Sequence, residues 1–446
     1  MRLCILGGGG FRVPLIYRAL LADRAAGRVT HLTLYDLDST RLEAISKVLT
    51  QQAAGVPDAP VVEVTTDLDS ALATADFVFV AIRVNGLEGR ALDERLALHE
   101  GVLGQETVGA GGVSYELRTL PVVDRIARRI AVVAPDAWVI NFTNPAGLVT
   151  EAMAAHLGDR VIGICDSPVG LGRRVAHALG VDPAMASFDY AGLNHLGWLR
   201  AVRVDGRDLL PELLADADRL GSFEEGKLFG APWLQALGAV PNEYLHYYYF
   251  NREAVAAARA ATDTRGSFLL RQQRRFYAEV GSGDAVAFDV WDSTRLERET
   301  TYMAENREAV GAGERNSCDL ESGGYEQVAL ALMRAISHDE RATLILNVRN
   351  RGTLAPLDEE AVVEVPCVVG SDGAKPVPVD PLPGHALGLV CAVKAVERDV
   401  IEAASTGSRA AALRALATHP LVDSVAVAGR LLEAYQGHFP DLGYLR

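Results

Sequence analysis

Arg2-Leu3-Cys4-Ile5-Leu6-Gly7-Gly8-Gly9-Gly10 opens the chain with a short apolar run that breaks into four consecutive glycines, and a helical pattern resumes near Val13. A strand, a glycine turn and a helix start in that order let a backbone approach a pyrophosphate at a helix N-terminus. The dinucleotide pattern G-x-G-x-x-G fits at Gly7 and Gly9 and fails at position 12, which is Arg12. The next apolar run, Leu32-Thr33-Leu34-Tyr35, ends on Asp36, 29 residues beyond Gly7 (36 minus 7). A carboxylate there can accept hydrogen bonds from ribose hydroxyls and would repel a 2'-phosphate, so Gly7, Gly8, Gly9 and Asp36 are expected to hold NAD rather than NADP. Working outward, VVEVT, ADFVFVAI, AWVINFTNP and RVIGICDSP alternate with amphipathic segments. That alternation predicts an α/β fold, a Rossmann-like parallel sheet with crossover helices.

Beyond Asp166 the pattern changes. FDYAGLNHLGWLRAVRV suggests an antiparallel piece, helical stretches run from about Asp208 to Ile336, and further helices are expected around 385–404 and 408–436. The expected division is an NAD-binding domain over 1–166 and, over 167–446, an added α+β, mostly helical lobe for substrate, metal and oligomerisation, with a soft, interleaved boundary. A length of 446 residues, 49% of them hydrophobic, is enough for two such lobes. The net charge of −15, with no dense Lys/Arg cluster, argues against nucleic acid as a partner. No apolar run is long enough to span a membrane and no leader precedes the first strand, so a cytoplasmic location is expected. Five scattered cysteines, Cys4, Cys165, Cys318, Cys367 and Cys391, contain no CxxC and suggest neither a disulfide framework nor a structural zinc knuckle.

Cys165 ends the strand VIGIC, and His195 lies in the polar knot Gly192-Leu193-Asn194-His195. A thiolate and an imidazole, completed by substrate and water oxygens, suit a divalent transition ion in an open catalytic site. In isolation a lone strand-end Cys is more often a small buried hydrophobe, and a lone His a satisfied core residue.

Read together, ILGGGG with LYDLD, IRVNGLEGRALDER, GVLGQETVGAGG, NFTNPAG, GICDSPVG, GLNHLGW, PNEYLHYYYF, ILNVRNRG and VEVPCVVGSDG resemble glycoside hydrolase family 4 along nearly the whole chain. The resemblance implies an NAD- and metal-dependent glycosidase, an exception to the usual two-carboxylate scheme. It implies oxidation of the sugar at C3, removal of the acidified C2 proton, elimination of the aglycone, addition of water and return of the hydride, with a divalent metal, most often Mn, as Lewis acid. On the matching positions, Cys165 and His195 become metal ligands and Tyr244 the C2 base, whose ordinary pKa of about 10 must be lowered by positive charge. Asp166 becomes the general acid seen in α-acting members; on the residues alone it reads equally as a helix N-cap, with Ser167 as an alternative cap. Arg90 and Arg265 match phosphate clamps and Asn144 a contact to a substrate hydroxyl. Guanidinium suits phosphate because its planar fork donates two hydrogen bonds at once.

Asn85 stands where relatives often carry glycine, a departure that puts the phosphate pocket in doubt. Glu106, on the segment 104–112 expected to order over nicotinamide or substrate, either contacts a hydroxyl or stabilises the loop. The short connection from His195 to Tyr244, 49 residues (244 minus 195), and the N-x-x-N-x-G block Asn347, Asn350, Gly352 resemble β-acting members. The resemblance thus points to a 6-phospho-β-glucosidase, assembled as a homodimer or homotetramer. The alternatives are a 6-phospho-α-glucosidase, a glycosidase for unphosphorylated sugars, a 2-hydroxy-acid dehydrogenase and a non-catalytic NAD-binding regulator. Cys165 is expected to be exposed and open to oxidation, the other cysteines to be packing residues.

Overall fold

The computed structural model describes residues 1–283, 286–311, 313 and 324–446. Strands β1 (Arg2–Leu6), β2 (His31–Tyr35), β3 (Val61–Thr65), β4 (Phe77–Val80), β5 (Trp138–Asn141) and β6 (Val161–Gly163) lie parallel in the order β3-β2-β1-β4-β5-β6. The apolar runs are continuous because the central strands are covered on both faces. Leu3, Ile5, Phe77 and Phe79 enter one core, and their neighbours Cys4, Leu6, Val78 and Val80 enter the other. The expected helices at Val13 and Ser39 are Val13–Ala22 and Ser39–Gln52.

The second half of the chain extends this sheet rather than forming a separate one. β7 (Ser187–Leu193) and β8 (Leu196–Val204) form the antiparallel pair read from FDYAGLNHLGWLRAVRV, with the short strands β9 (Arg207–Asp208) and β10 (Val240–Pro241) on β8. β11 (Ala342–Arg349), β12 (Val362–Gly370) and β13 (Gly373–Pro376) were not foreseen, since short apolar runs do not separate strand from buried helix by periodicity. β11 joins β6 antiparallel through Asn347 opposite Gly163, and β12 joins β7 through Glu364 opposite Gly192. The result is one 13-stranded mixed sheet, β10-β8-β7-β12-β11-β6-β5-β4-β1-β2-β3 with β9 and β13 off this path.

The helical region after Asp208 begins with several short helices before the longer Arg265–Ser282, Ala287–Thr300 and Tyr325–His338. Later helices run Gly384–Thr406, Arg409–Thr418 and Val425–His438. Val400, Leu431 and Leu432 pack in the core of Cys4 and Leu6, while Phe276, Trp291 and Tyr325 pack in the core of Leu3 and Ile5. Both cores therefore draw on residues from either side of position 166. Cys4 and Cys367 are buried, Cys391 is half-buried, and Cys318 lies outside the described residues. Among the described residues no helix is long and apolar enough to cross a membrane.

Candidate active site

The carboxyl ends of β1, β4, β5 and β6 open onto a cavity of about 520 Å³, lined there by Gly7, Ala81, Asn144 and Cys165. Ligands of open α/β sheets gather at such ends. The glycine turn packs too closely for side chains: a Cβ on Gly7, whose φ is +90°, would lie 2.3 Å from the Ala81 carbonyl oxygen, and one on Gly8 2.6 Å from Leu34 Cβ. The Gly7 and Gly8 amides donate to the Tyr35 carbonyl at 2.9 and 2.7 Å. The Gly9 amide donates to Asp36 Oδ2 at 3.0 Å, so the acidic residue at the end of β2 braces the turn directly. Gly8, Gly9 and Asp36 sit behind Gly7 rather than on the cavity wall. Aromatic side chains from the second half hold the turn's outgoing carbonyls: Tyr277 to Gly9 at 2.7 Å, Trp291 to Phe11 at 2.9 Å and Tyr325 to Arg12 at 2.9 Å.

Arg12, the residue that spoils the glycine pattern, points into the cavity. Its guanidinium lies over the Tyr325 and Phe142 rings, 4.6 and 5.5 Å from their centroids, and its Nη2 is 3.1 Å from Asp166 Oδ2. Burial works against its charge, but Asp166 together with Tyr325, Glu299 and Glu326 outweighs burial and holds the guanidinium protonated. Asp166 occupies the N-cap position of the helix Ser167–Leu179 without capping it, and the Ser167 hydroxyl donates to Glu243 instead, at 2.8 Å. Neither cap expected from the sequence is formed.

Cys165, His195 and Tyr244 line the same cavity. His195 sits in the turn between β7 and β8 at φ +60°, a conformation uncommon outside glycine and found where surroundings over-determine the backbone. Its ring is stacked face to face on Tyr244, centroids 3.7 Å apart and planes within 3°. Burial pushes the imidazole down to about 4, so it is neutral, the form that binds metals. Cys165 is 3% exposed, which corrects the expectation of an exposed thiol; burial, then Glu364 and Asp166, push its pKa well up. A cation beside it would reverse that balance, because a coordinating thiol loses its proton. Burial and then Glu243 also push Tyr244 upward, and the Tyr302 hydroxyl lies 3.4 Å from its own. Among the described residues no three or more His, Cys, Asp and Glu side chains form a metal cage. One sulfur and one nitrogen facing a roomy cavity fit an open metal site, with the remaining positions left to substrate and water.

Behind His195 lies a buried polar knot that the residue pattern did not reveal. Glu364 on β12 accepts from Asn347 Nδ2 at 2.9 Å, Asn194 Nδ2 at 3.2 Å and the Tyr190 hydroxyl at 3.1 Å. Asn194 Oδ1 in turn accepts from the Ala146 amide at 2.7 Å, fixing the Asn144-Pro145-Ala146 turn against the His195 turn. Asn350 is spent on its own loop, accepting from the Leu354 amide at 2.6 Å.

At the opposite wall the arginines are paired. Arg90 is 7% exposed and donates to Glu94 at 2.8 Å and to Glu106 at 2.6 Å, while Arg83 pairs with the other Glu106 oxygen. Glu106 thus bridges two arginines, which ties the segment 104–112 to this wall, and it lines the cavity. Arg265 donates to Thr301 Oγ1 at 2.7 Å and to the Arg298 carbonyl at 2.8 Å. Asn85 adopts the left-handed conformation at φ +59° that glycine favours and donates to Asp441 at 2.8 Å, so the backbone here is preserved without glycine. Arg298, which no motif marked, lines the cavity; its carbonyl accepts from Arg265, while its guanidinium has no hydrogen-bond or ion-pair partner among the described residues. Burial, then Arg12, with Arg265 and Arg90 adding, push it down to about 9 against Glu299. No local signal could have singled it out, because its solitude is a tertiary property.

Comparison with known proteins accounts for nearly the whole chain. Residues 2–181 match the family model of Family 4 glycosyl hydrolase, and residues 190–422 match that of the Family 4 glycosyl hydrolase C-terminal domain. The chain is 32% identical to a probable 6-phospho-beta-glucosidase of Bacillus subtilis (strain 168), over 99% of this chain and 98% of that protein. The structure resembles the 6-phospho-beta glucosidase from Thermotoga maritima with manganese, NAD+ and glucose-6-phosphate, with a TM-score of 0.83 and 26% identity, over 100% of this chain and 99% of that one. It also resembles a 6-phospho-alpha-glucosidase from gut microorganisms in complex with NAD and Mn2+, with a TM-score of 0.80 and 26% identity, over 98% and 97% of the two chains. A glycine turn, a cysteine, a histidine and a tyrosine thus meet in one cavity of a chain that belongs to family 4 of the glycosyl hydrolases.

Proposed function

We propose that the protein hydrolyses 6-phospho-β-glucosides with the help of NAD and a divalent metal, manganese being the expected ion. The observation that carries the reading is that one cavity is lined at once by Gly7, Cys165, His195, Tyr244, Arg265 and Arg298. NAD and the metal would supply, when bound, a hydride acceptor and a Lewis acid for the sugar oxygens. The chain's own residues do the rest. Gly7, Gly8, Gly9 and Asp36 shape the nucleotide site at the start of the Val13–Ala22 helix, and Cys165 with His195 holds the metal. Tyr244, immobilised by its stack on His195, takes the proton from C2. Its burial raises its pKa, so positive charge beside it has to bring the phenol into range.

At the other wall Arg265 and Arg298 receive the 6-phosphate, Arg90 braces the wall through Glu94, which also accepts from the Gly266 amide beside Arg265, and Asn144 meets a sugar hydroxyl. The Arg298 guanidinium, whose pKa is pushed down by burial first and then by its arginine neighbours, is what a phosphate dianion would stabilise. The β preference is supported by Asp166, whose Oδ2 is engaged by Arg12. A carboxylate held by a guanidinium is not free to turn toward a leaving group, which counts against its service as the acid of α-acting relatives. The α reading keeps one observation in its favour, since Asp166 lines the cavity. Within this proposal residues 1–166 carry the nucleotide, 167–446 carry sugar and metal, and the enzyme works in the cytoplasm as a homodimer or homotetramer, which sedimentation would test.

The deciding experiment supplies metal-loaded enzyme and catalytic NAD+ with p-nitrophenyl α- and β-glucosides, each with and without a 6-phosphate. Turnover is expected on the phosphorylated β-glucoside. Turnover confined to α-linked substrates overturns the anomeric choice, and equal turnover without phosphate overturns the substrate class. In D2O the product should carry deuterium at C2, and protium retained there excludes proton removal by Tyr244.

A further inference from the structure

Thr107 is buried, and its hydroxyl lies 2.9 Å from Nδ1 of His195. It belongs to the segment 104–112, whose other contacts differ in kind: Glu106 bridges Arg83 and Arg90, and the Gly109 amide meets His419 Nε2 at 3.2 Å. A hydroxyl has one proton to give and two lone pairs to receive with. If Thr107 gave its proton to Nδ1, the neutral ring would carry its own proton on Nε2, and neither nitrogen could bind a cation. The surroundings favour the reverse. Gln105 Oε1 accepts from the Thr107 amide at 2.8 Å and lies 3.4 Å from Thr107 Oγ1, so a second acceptor waits for the hydroxyl proton. With that proton directed to Gln105, Thr107 accepts from Nδ1–H, and every partner in the chain Gln105-Thr107-His195 is satisfied.

The ring's other freedoms are removed by its stack on Tyr244 and by the left-handed backbone of His195. The hydroxyl of Thr107 then decides the remaining question, which nitrogen carries the proton.

We propose that Thr107 is a positioning residue for the metal: it holds His195 as the Nδ1–H tautomer and so keeps Nε2 as the bare lone pair for a divalent cation. This rests on the reading of Cys165 and His195 as metal ligands. Partners that orient a ligating histidine in this way commonly change metal affinity by about 10–100-fold when lost.

The test titrates MnCl2 into the metal-stripped full-length protein by calorimetry, for wild type, Thr107→Val, Thr107→Ser, Thr107→Ala and Cys165→Ser. Thr107→Val and Thr107→Ala should weaken Mn2+ binding about 10–100-fold, while Thr107→Ser, which restores the hydroxyl, stays within about threefold of wild type. NAD affinity, measured on the same samples, should be unchanged and reports that the variants are folded. Should the valine variant fail to fold, the alanine and serine pair carries the comparison. In 15N-histidine-labelled protein the His195 signal should report Nδ1–H in wild type and Thr107→Ser, and lose that preference in Thr107→Ala. Wild-type Mn2+ affinity in Thr107→Ala overturns the proposal, as does a serine variant as weak as alanine. If Cys165→Ser binds Mn2+ as tightly as wild type, the metal reading itself falls. Loss in Cys165→Ser with normal binding in Thr107→Ala leaves the metal reading standing and removes only Thr107.

Discussion

Around His195, at the Cys165 end of the cavity and apart from the Arg12–Asp166 pair, the polar side chains are held by shape, by single hydrogen bonds and by stacking, whereas at the Arg90 end they are charged and held by one another. His195 is fixed by Thr107, Tyr244 and its own backbone, and Glu364 behind it is surrounded by two amides and a phenol. Arg83, Arg90, Glu94 and Glu106 form a chain of alternating charge. A residue at the first end can act on a ligand without first breaking a bond to a neighbour. At the second end a guanidinium's presence says little about its availability, and Arg298 differs from Arg90 through its surroundings rather than its chemistry.

The largest effect should come from the Cys165 end. Tyr244→Phe removes one oxygen from a half-buried ring and keeps the stack, so NAD and Mn2+ affinities should persist. Hydrolysis of the phosphorylated β-glucoside should fall about 10²–10⁴-fold, the usual contribution of a positioned base. Steady-state turnover together with deuterium incorporation at C2 checks this, and a variant within tenfold of wild type would remove Tyr244 from the reaction.

The charged end should respond in stability and binding rather than in turnover. Arg90→Met strands Glu94 and Glu106 next to one remaining cation, and breaking a buried pair from one side typically costs about 3–5 kcal/mol. Arg298→Gln relieves a crowded cation and should leave denaturant unfolding within about 0.5 kcal/mol of wild type, in line with changes away from any paired network. It should instead raise KM for the phosphorylated substrate about tenfold or more, as loss of a charge-assisted pair implies, and leave the unphosphorylated one unaffected. If Arg90→Met proves as stable as wild type and selectively loses the phosphorylated substrate, the roles of the two arginines are reversed.

Asp166 lies where the two styles meet, a carboxylate beside the metal cysteine that is claimed by a cation. Asp166→Asn keeps the shape and breaks the charge pair, an interaction that is partly exposed and worth about 1 kcal/mol or less. Turnover of β-glucosides with good and poor leaving groups should fall by similar factors, each under about tenfold, an energy of order 1 kcal/mol. A loss confined to poor leaving groups would restore Asp166 as the general acid and favour the α reading.

The same contrast marks what could be read from the chain before folding. Strands β1, β4, β5 and β6 are legible because both faces are buried and helices intervene, so their apolar runs and the glycine turn speak for themselves, while β2 and the exposed edge strand β3 are marked by alternation with helices. β11 to β13 are not, because their role as a continuation of β6 depends on an antiparallel neighbour nearly 200 residues away, Asn347 opposite Gly163. Cys165 and His195 stand out by residue type at a strand end and a turn, whereas Tyr244, one of several tyrosines in NEYLHYYYF, is singled out only by the family resemblance; all three line the cavity. Thr107, Glu364 and Arg298 carry no such mark. Threonine, glutamate and arginine are common, and what distinguishes these three is the partner each finds or lacks.

Glu364 offers the finest test, because it is a carboxyl that the Cys165 end treats as neutral. Burial pushes it up to about 7 despite three hydrogen bonds to it, against 4.5 when unperturbed. Between those values the native state holds a proton that the unfolded chain has released, so its contribution to stability is full below 4.5 and is lost as pH rises through 7. Glu364→Gln has no proton to lose: its oxygen can accept from Asn194 and Asn347, and its amide can donate to the Tyr190 hydroxyl. Relative to wild type, the metal-free variant should therefore gain about 1–3 kcal/mol between pH 5 and pH 8, measured by urea unfolding at both. His195, His246 and His419, each pushed down to about 4 by burial, impose the opposite slope, losing stability as pH falls below 6.5. They do so in both proteins, and the difference cancels them. A gap that does not change with pH would mean that Glu364 is already charged at pH 5, and that the Cys165 end holds its carboxylates as the Arg90 end does.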